Sequence, residues 1–219
     1  MKRFATVICA VVLALGLAFT ARPAQAQSIG IGVQGGASFS DFNVSDPSVD
    51  LSSRTGYRIA GVVRIGLGGV LGLESGVGLV QKGSVEPASS SGLTSDLNYN
   101  VDYIDIPLLL TLSIPTGPAP IHPRLFAGPQ ANFQSSCSIS FSSASTDCTD
   151  SNGLATKSTT WGLVFGGGLD FPVGGPLALT VDGRYELGLT DINDTTDPNA
   201  TSVKNRSFVI SGGLLLTLP

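Results

Sequence analysis

Asp182, Arg184 and Glu186 alternate with uncharged residues, so their side chains share one face of any extended segment. Two carboxylates on one face could serve as a general acid and a general base. The arginine between them favours ion pairing instead, because it neutralises the carboxylates on either side. We therefore predict a structural group of ion pairs here and no catalytic residues.

Three other features resemble known sites but lack the partners that those sites need. GIGVQG at Gly30–Gly35 has the glycine spacing of a dinucleotide site, but no helix pattern follows it. His122, the sole histidine, lies in the turn GPAPIHPR, without the partners of a catalytic triad or a zinc site. The loop DINDTTDPN, Asp191–Asn199, offers oxygen ligands without EF-hand spacing, and its residues are ordinary turn formers. We predict no cofactor and no metal, with weak calcium binding by this loop left open.

The first 26 residues have the three parts of a secretory signal peptide. Lys2 and Arg3 precede the apolar run Phe4–Phe19, and Ala24–Ala26 reads AQA, a small-residue cleavage site. Cys9 lies deep in the apolar run, which argues against a lipid-modified cysteine. We predict export of the chain and one mature domain, residues 27–219, long enough for a sizeable core.

The predicted mature chain is acidic, and this limits its partners. Without Lys2, Arg3 and Arg22, nine of the 12 Lys and Arg residues remain against all 16 Asp and Glu residues, a formal charge of −7. Nucleic-acid binding needs a basic surface, so we predict no nucleic-acid partner.

Two cysteines remain after the leader, Cys137 and Cys148, with ten residues between them in a serine-rich stretch. In an exported protein such a pair is typical of a disulfide. A metal pair would need a neighbouring His or a further Cys. We therefore predict a Cys137–Cys148 disulfide that closes one loop.

Apolar residues after the leader recur at every second position, which is the period of a β-strand with one apolar face. No apolar run there reaches the roughly 20 residues of a transmembrane helix. Eight alternating stretches occur, each close to the ~9–11 residues of a tilted membrane-spanning strand. They are 29–39, 57–67, 71–82, 103–114, 124–133, 161–171, 177–190 and 207–218.

The connections between these stretches alternate in length. Long polar connections are predicted at 40–54, 84–98, 135–157 and 191–204, and short ones, rich in Gly and Pro, at 68–70, 115–120 and 172–176. Short turns at one rim and long loops at the other are typical of an outer-membrane barrel. We predict an all-β fold, an eight-stranded antiparallel up-and-down transmembrane β-barrel with short periplasmic turns and long extracellular loops, in the outer membrane of a Gram-negative bacterium.

The two faces of the predicted strands differ in charge, which indicates their orientation. Lipid requires an apolar outer surface and a closed sheet, so the charged face is expected inside. The turn Gly68–Val70 would place Leu67 opposite Leu71, and Arg64 opposite Glu74 as a cross-strand pair. An eight-stranded barrel is narrow enough for side chains to fill it, so we expect a plug rather than an open pore. The predicted interior ion-pair network comprises Arg58, Arg64, Glu74, Lys82, Asp105, Arg124, Asp170, Asp182, Arg184 and Glu186.

Four aromatic residues, Tyr57, Tyr99, Tyr103 and Trp161, lie near the ends of predicted strands. Aromatic girdles mark the membrane interfaces of barrels. We predict an interfacial position for these residues, with packing on neighbouring side chains as the alternative.

Five short stretches across the mature chain resemble the PorT-like outer-membrane β-barrel proteins of the Bacteroidetes, a resemblance that implies a small barrel of the OmpA and OmpX type. They specify the barrel better than any activity, and the link of PorT to type IX secretion is not carried over. The stretches are GVQGGASFS (32–40), GLESGVGLVQKG (72–83), VDYIDIPLLLTL (101–112), LFAGPQANF (125–133) and YELGLTDI (185–192).

The C-terminal SGGLLLTL is similar to the signal that the barrel-assembly machinery reads, with Ser211, Gly213, Leu216 and Leu218 as its residues. The usual terminal aromatic residue is absent and Pro219 follows. The resemblance implies that this machinery is a partner during biogenesis.

These observations together predict a non-enzymatic barrel with a structural or interaction role. Its partners would be outer-membrane lipid and an envelope or extracellular protein that binds the acidic outer loops. A lipocalin-like soluble carrier is the first alternative, although it would need charge on the outer face. A small-solute channel is open if the interior is looser, and a lipid-modifying enzyme would need a nucleophile, a base and an orienting group together.

Overall fold

The computed structural model describes residues 28–117, 120–147, 157–190 and 203–218, except 45–51, 87–96 and 142–143. The predicted leader, 1–26, and the loop Asp191–Asn199 lie outside these residues. The described chain consists of nine β-strands. They are β1 (Ile29–Val44), β2 (Ser52–Gly68), β3 (Leu71–Glu86), β4 (Leu97–Ser113), β5 (His122–Phe141), β6 (Ala144–Asp147), β7 (Thr159–Gly174), β8 (Leu177–Gly188) and β9 (Val203–Leu218).

Eight of these strands close into an antiparallel barrel. The strand order is β4-β3-β2-β1-β9-β8-β7-β5, and β4 also pairs with β5, which closes the ring. The first and last strands pair along their whole length, from Ile29 opposite Leu218 to Val44 opposite Val203. The fold prediction of an eight-stranded antiparallel barrel is therefore confirmed. The ninth strand, β6, pairs with the end of β5 from Ser138 to Phe141 and was not predicted.

The strands are longer than their sequence pattern predicted. β2 has 17 residues and β5 has 20, so the predicted connections 40–54, 84–98 and 135–157 are strand in part. The apolar alternation in the sequence ends before the strand does, because only the part of the strand in an apolar environment needs apolar side chains. The hydrogen-bond ladder continues through polar residues as long as both partners stay in register.

The turn between β2 and β3 differs in detail from the prediction. Gly68 pairs with Leu71, and the register shifts between Gly66 and Gly68, so the predicted opposition of Leu67 and Leu71 is wrong. Leu67 is the extra residue of a bulge. Gly68 and Gly69 have φ of 106° and 61°, values that glycine adopts without steric cost.

Polar and apolar side chains are distributed inside out. Large apolar side chains on the outer surface are exposed on every barrel strand, among them Val33, Ile59, Val77, Leu110, Leu125, Phe165, Val181 and Leu214. The buried side chains include eight charged residues. No helix in the described part of the chain is long and apolar enough to cross a membrane.

Two glycines test how closely the strands of the barrel approach one another. A Cβ at Gly36 would collide with backbone atoms of Ile210 and Ser211 on β9, whereas a Cβ at Gly61 would meet no atom within 4 Å. We expect Gly36→Val to destabilise the barrel by about 1–3 kcal/mol, the usual cost of overpacking, because backbone atoms cannot move aside.

The measurement is the urea midpoint of protein refolded in lipid vesicles, with Gly61→Val as the matched control. A Gly36→Val midpoint equal to that of Gly61→Val would contradict the close approach of β1 and β9.

Candidate functional site: the charged interior

Alternation along the strands brings ten charged side chains into the interior. Five are cations and five are anions, so their formal charges balance. Eight are buried, while Arg64 and Asp170, near the end with short turns, keep 12% and 18% of their side-chain surface exposed. The ten are Arg58, Arg64, Lys82, Arg124 and Arg184, and Glu74, Asp105, Asp170, Asp182 and Glu186.

Arg124 on β5 is the centre of the largest group of ion pairs. Its guanidinium contacts Glu74 at 3.3 Å, Asp170 at 3.4 Å, and Asp182. Arg64 joins the same group through Glu74 at 2.7 Å and Asp170 at 2.9 Å. Arg64 and Glu74 are directly opposite on β2 and β3. Each carboxylate in this group contacts at least one arginine, whose N–H groups supply the hydrogen bonds that a buried carboxylate needs.

Arg58 and Asp105 form a separate buried pair beside this group. Both Nε and Nη2 of Arg58 donate to Asp105 Oδ2, at 3.1 and 2.7 Å. Gly78 on β3 makes room for the pair, because a Cβ there would collide with the Asp105 carboxylate and lie 3.0 Å from Arg58 Nη2. The absence of a side chain at position 78 is therefore a condition for this pairing.

Lys82 and Glu186 form a third group nearer the end with long connections. Lys82 Nζ lies 2.7 Å from Glu186 Oε2. The same oxygen accepts hydrogen bonds from Ser207 at 3.0 Å and from Gln130 Nε2 at 3.4 Å. Gln130 Nε2 also donates to Asn132 Oδ1 at 2.7 Å. A polar amide layer thus surrounds this ion pair.

Arg184 combines polar and aromatic contacts. Its Nη2 donates to Gln34 Oε1 at 3.3 Å, and Gln34 Nε2 donates to Asp182 at 2.6 Å. The guanidinium carbons of Arg184 and Arg124 lie 5.5 and 5.1 Å from the centre of the Phe126 ring. Phe126 therefore contacts two cations by its π-system, a favourable arrangement in a desolvated site.

The sequence analysis named only charged residues for the interior network, and the structure adds three apolar groups. All lie on the inward parity of their strands, which is the signal that could have identified them: Phe126, for example, lies two residues after Arg124. The groups are Leu109, Phe126 and Val164; Ala60, Val62 and Leu215; and Val80, Val101 and Tyr103, with Cys137 packed against the last.

The cavities differ greatly between the two ends of the barrel. Beside Lys82 and Glu186 the space has a volume of about 10 Å³, roughly one water molecule. At the end with short turns a vestibule of about 560 Å³ opens, lined by Val70, Asp170 and Leu215 among others. Among the described residues, the interior is thus packed at the level of Lys82 and opens into a vestibule at the short-turn end.

The structure places the other predicted residues as follows. His122 is exposed at the start of β5, and Tyr103 is buried and accepts a hydrogen bond from Asn205 at 3.2 Å, so the interfacial prediction is wrong for Tyr103. Tyr57 and Trp161 are exposed on the outer surface. The side chain of Tyr99 and all of Cys148 lie outside the described residues, so the disulfide stays a prediction.

On β9, Ser211 faces the interior while Leu216 and Leu218 are exposed outside, and Gly213 lies close to Gln34 of β1. Among the described residues no group of three His, Cys, Asp or Glu could hold a metal ion. The charged interior of the described chain is a set of ion pairs within and across the barrel wall.

A family model and several solved structures match this chain. The model of the outer membrane protein beta-barrel domain matches residues 25–194. A major outer membrane protein from Thermus thermophilus has a TM-score of 0.55 at 15% identity, covering 89% of this chain and 100% of that chain. Neisserial surface protein A has a TM-score of 0.52 at 17% identity, covering 85% and 96%.

OprG from Pseudomonas aeruginosa has a TM-score of 0.52 at 15% identity, covering 88% of this chain and 97% of that chain. At these identities the likeness concerns the fold alone. No curated protein matches the chain.

The Arg58–Asp105 pair allows a test of the buried network. We expect Asp105→Ala to destabilise the barrel by about 3–5 kcal/mol, because it leaves the Arg58 charge buried without its partner. Asp102→Ala is the matched control on the same strand, where Asp102 accepts a hydrogen bond from exposed Ser136. The control should cost about 0.5 kcal/mol or less.

Both values follow from urea unfolding of the refolded protein in vesicles. The separate double variant Arg58→Met with Asp105→Leu should keep most of the wild-type stability, since apolar residues of similar size can replace a buried pair. Equal effects of Asp105→Ala and Asp102→Ala would contradict the importance of the buried pair.

Proposed function

Because the chain belongs to the outer membrane protein beta-barrel family, we propose that it is a non-enzymatic integral outer-membrane barrel whose interior is closed by its own side chains. Its role would be structural or one of interaction, through the connections at the long-connection end. The observation that carries the proposal is the inside-out distribution of charge, with five cations and five anions inside an apolar outer surface.

The apolar outer surface supports insertion in a bilayer. Exposed Ile, Leu, Val and Phe side chains occur on all eight barrel strands, far more than the isolated patches of a soluble monomer. A lipocalin-like carrier would need the opposite arrangement, with a wet outer face and an apolar cavity. The geometry therefore favours the membrane barrel over the soluble alternative.

The packed interior supports a closed barrel rather than a channel. Long side chains cross it between opposite walls: Arg64 on β2 reaches Asp170 on β7, and Lys82 on β3 reaches Glu186 on β8. In each pair the two strands are four apart around the ring in either direction. A channel would require these pairs to separate, and the vestibule of about 560 Å³ would be its entrance.

Several finer points of the proposal rest on the sequence. We infer that residues 1–26 direct export, that the short turns face the periplasm, and that the PorT-like resemblance describes the subfamily. We infer also that Cys137 and Cys148 form a disulfide, which would tie the end of β5 to the connection that follows β6. Loops on this side would offer the acidic surface for an envelope or extracellular protein.

Membrane insertion predicts heat-modifiable gel mobility. The intact barrel should keep a compact form in detergent without boiling and migrate differently after boiling, since unfolding needs all strand pairs to open. The measurement is gel migration of membrane extracts with and without heating. Recovery of the protein solely in the soluble periplasmic fraction would contradict the proposal.

A closed interior predicts that the purified wild-type barrel gives no conductance steps in planar bilayers. Phe126→Ala with Arg184→Ala removes two large buried side chains and should allow conductance. Phe208→Ala truncates an exposed aromatic residue on the outer surface, so it serves as the control and should be silent. Regular conductance steps from the wild type would favour the channel instead.

A further inference from the structure

On the outer surface of β7, β8, β9 and β1, the side chains of paired residues form rows that run across the strands. One row is aromatic: Phe165 is opposite Tyr185, Tyr185 is opposite Phe208, and Phe208 is opposite Phe39. The rings of Phe165 and Tyr185 lie 5.3 Å apart. Aromatic rows of this kind mark the level of the lipid headgroups in membrane barrels.

Two basic residues lie directly beyond this aromatic row on β9. Arg206 lies two residues from Phe208 towards the long-connection end, opposite Leu187 of β8 and Asp41 of β1. Lys204 lies four residues from Phe208 in the same direction, and its side chain is exposed. Trp161, at 56% exposure, lies near this level, since its carbonyl accepts a hydrogen bond from the Leu189 amide at 2.9 Å. Two cations thus stand on the lipid-facing side of the barrel, at headgroup depth.

Arg206 lies beside one carboxylate, and much of its side chain stays accessible. Its Nε lies 3.3 Å from Asp41 Oδ1, and both side chains keep 38% of their surface exposed. Nε is the guanidinium nitrogen nearest this carboxylate, and the outer nitrogens, the pair that binds phosphate oxygens in a fork, are free of this ion pair. Lys204 adds a mobile ammonium on the same face.

From this arrangement we propose that Lys204 and Arg206 bind the phosphomonoester of a lipid headgroup. The proposal rests on the proposed membrane insertion. A phosphomonoester carries close to two negative charges and can contact Lys204 and the outer nitrogens of Arg206 together, even with Asp41 beside Arg206, whereas a phosphodiester carries one charge. The aromatic row borders the two cations on the membrane side, and Leu187 lies beside Arg206 on β8. The phosphate is therefore expected to belong to a lipid whose acyl chains cover that apolar surface.

The charge distribution of the chain supports this assignment. The whole chain has a formal charge of −4, and five of its cations are used inside the barrel against five anions. On this outer face the described residues carry two cations and one anion, Asp41. A local excess of positive charge at headgroup depth in an acidic protein is what an anionic headgroup would recognise.

The test is native mass spectrometry of the full barrel with three probes. They are lipid A with its phosphates, enzymatically dephosphorylated lipid A, and phosphatidylglycerol. We expect the phosphorylated lipid A to bind most tightly, and Lys204→Gln with Arg206→Gln to weaken it at least roughly tenfold, since two charge-assisted contacts are lost.

Arg54→Gln is the matched control, because Arg54 lies at the same end but donates to the Lys82 carbonyl on the inner side, at 3.4 Å. It should leave lipid binding unchanged. Lys204→Gln alone, at an exposed position, should give an intermediate loss and covers the case in which the double variant fails to fold.

Three results would overturn the proposal: equal binding by the double variant and the wild type, equal binding of phosphorylated and dephosphorylated lipid A, or binding of phosphatidylglycerol as tight as that of lipid A. Heat-modifiable mobility is measured on the same samples. A variant that keeps this mobility but loses lipid A supports the site, whereas loss of the mobility in the wild type would contradict membrane insertion itself.

Discussion

Ion pairing across the interior is the interaction on which the rest of this barrel depends. A closed ring of eight strands leaves a space that side chains fill and bulk water does not. A single charge buried there would cost several kcal/mol, and only close partners offset that cost. Arg58, Lys82 and Arg124 each lie within about 3.4 Å of a carboxylate oxygen. Each of these contacts joins strands that are not neighbours in the sheet, so removal of one partner affects strands beyond the adjacent pair.

Glycines lie beside ion pairs of the interior, and apolar side chains fill the space where no ion pair crosses. Arginine, lysine and glutamate side chains are long, so the strands opposite them need positions without a side chain, as at Gly78 and Gly168. At Gly168 a Cβ would collide with the Asp182 carboxylate and lie 3.2 Å from Arg124 Cζ. Where no ion pair crosses, apolar groups such as Leu109, Phe126 and Val164 fill the space. Gly78 and Gly168 thus make room for the paired side chains, whereas Gly36 allows a close approach of two backbones.

The strand alternation predicted the barrel and the inward set of charges, because period two depends only on which face contacts lipid. The pattern could not predict which ions meet. Arg64 was expected beside Glu74, its neighbour across the hairpin, but its contact with Asp170 depends on closure, which brings β2 opposite β7. Tyr103 was assigned to an interface since it lies near the end of the predicted strand, yet β4 begins at Leu97, and Tyr103 lies two residues before Asp105 on the same inward face.

The charged interior also specifies the register of the strands. A slip of one residue would move every inward side chain of a strand to the outer face. In a barrel with an apolar interior, such a slip would only exchange apolar side chains between the inner and outer faces, at little cost. Here a slip of β8 would place Asp182, Arg184 and Glu186 together in contact with lipid, where a cation costs roughly 2–4 kcal/mol near the bilayer midplane and a carboxylate less. It would also separate Glu186 from Lys82 and Asp182 from Arg124. The network therefore distinguishes the native register from its neighbours by a margin that apolar packing alone would not give.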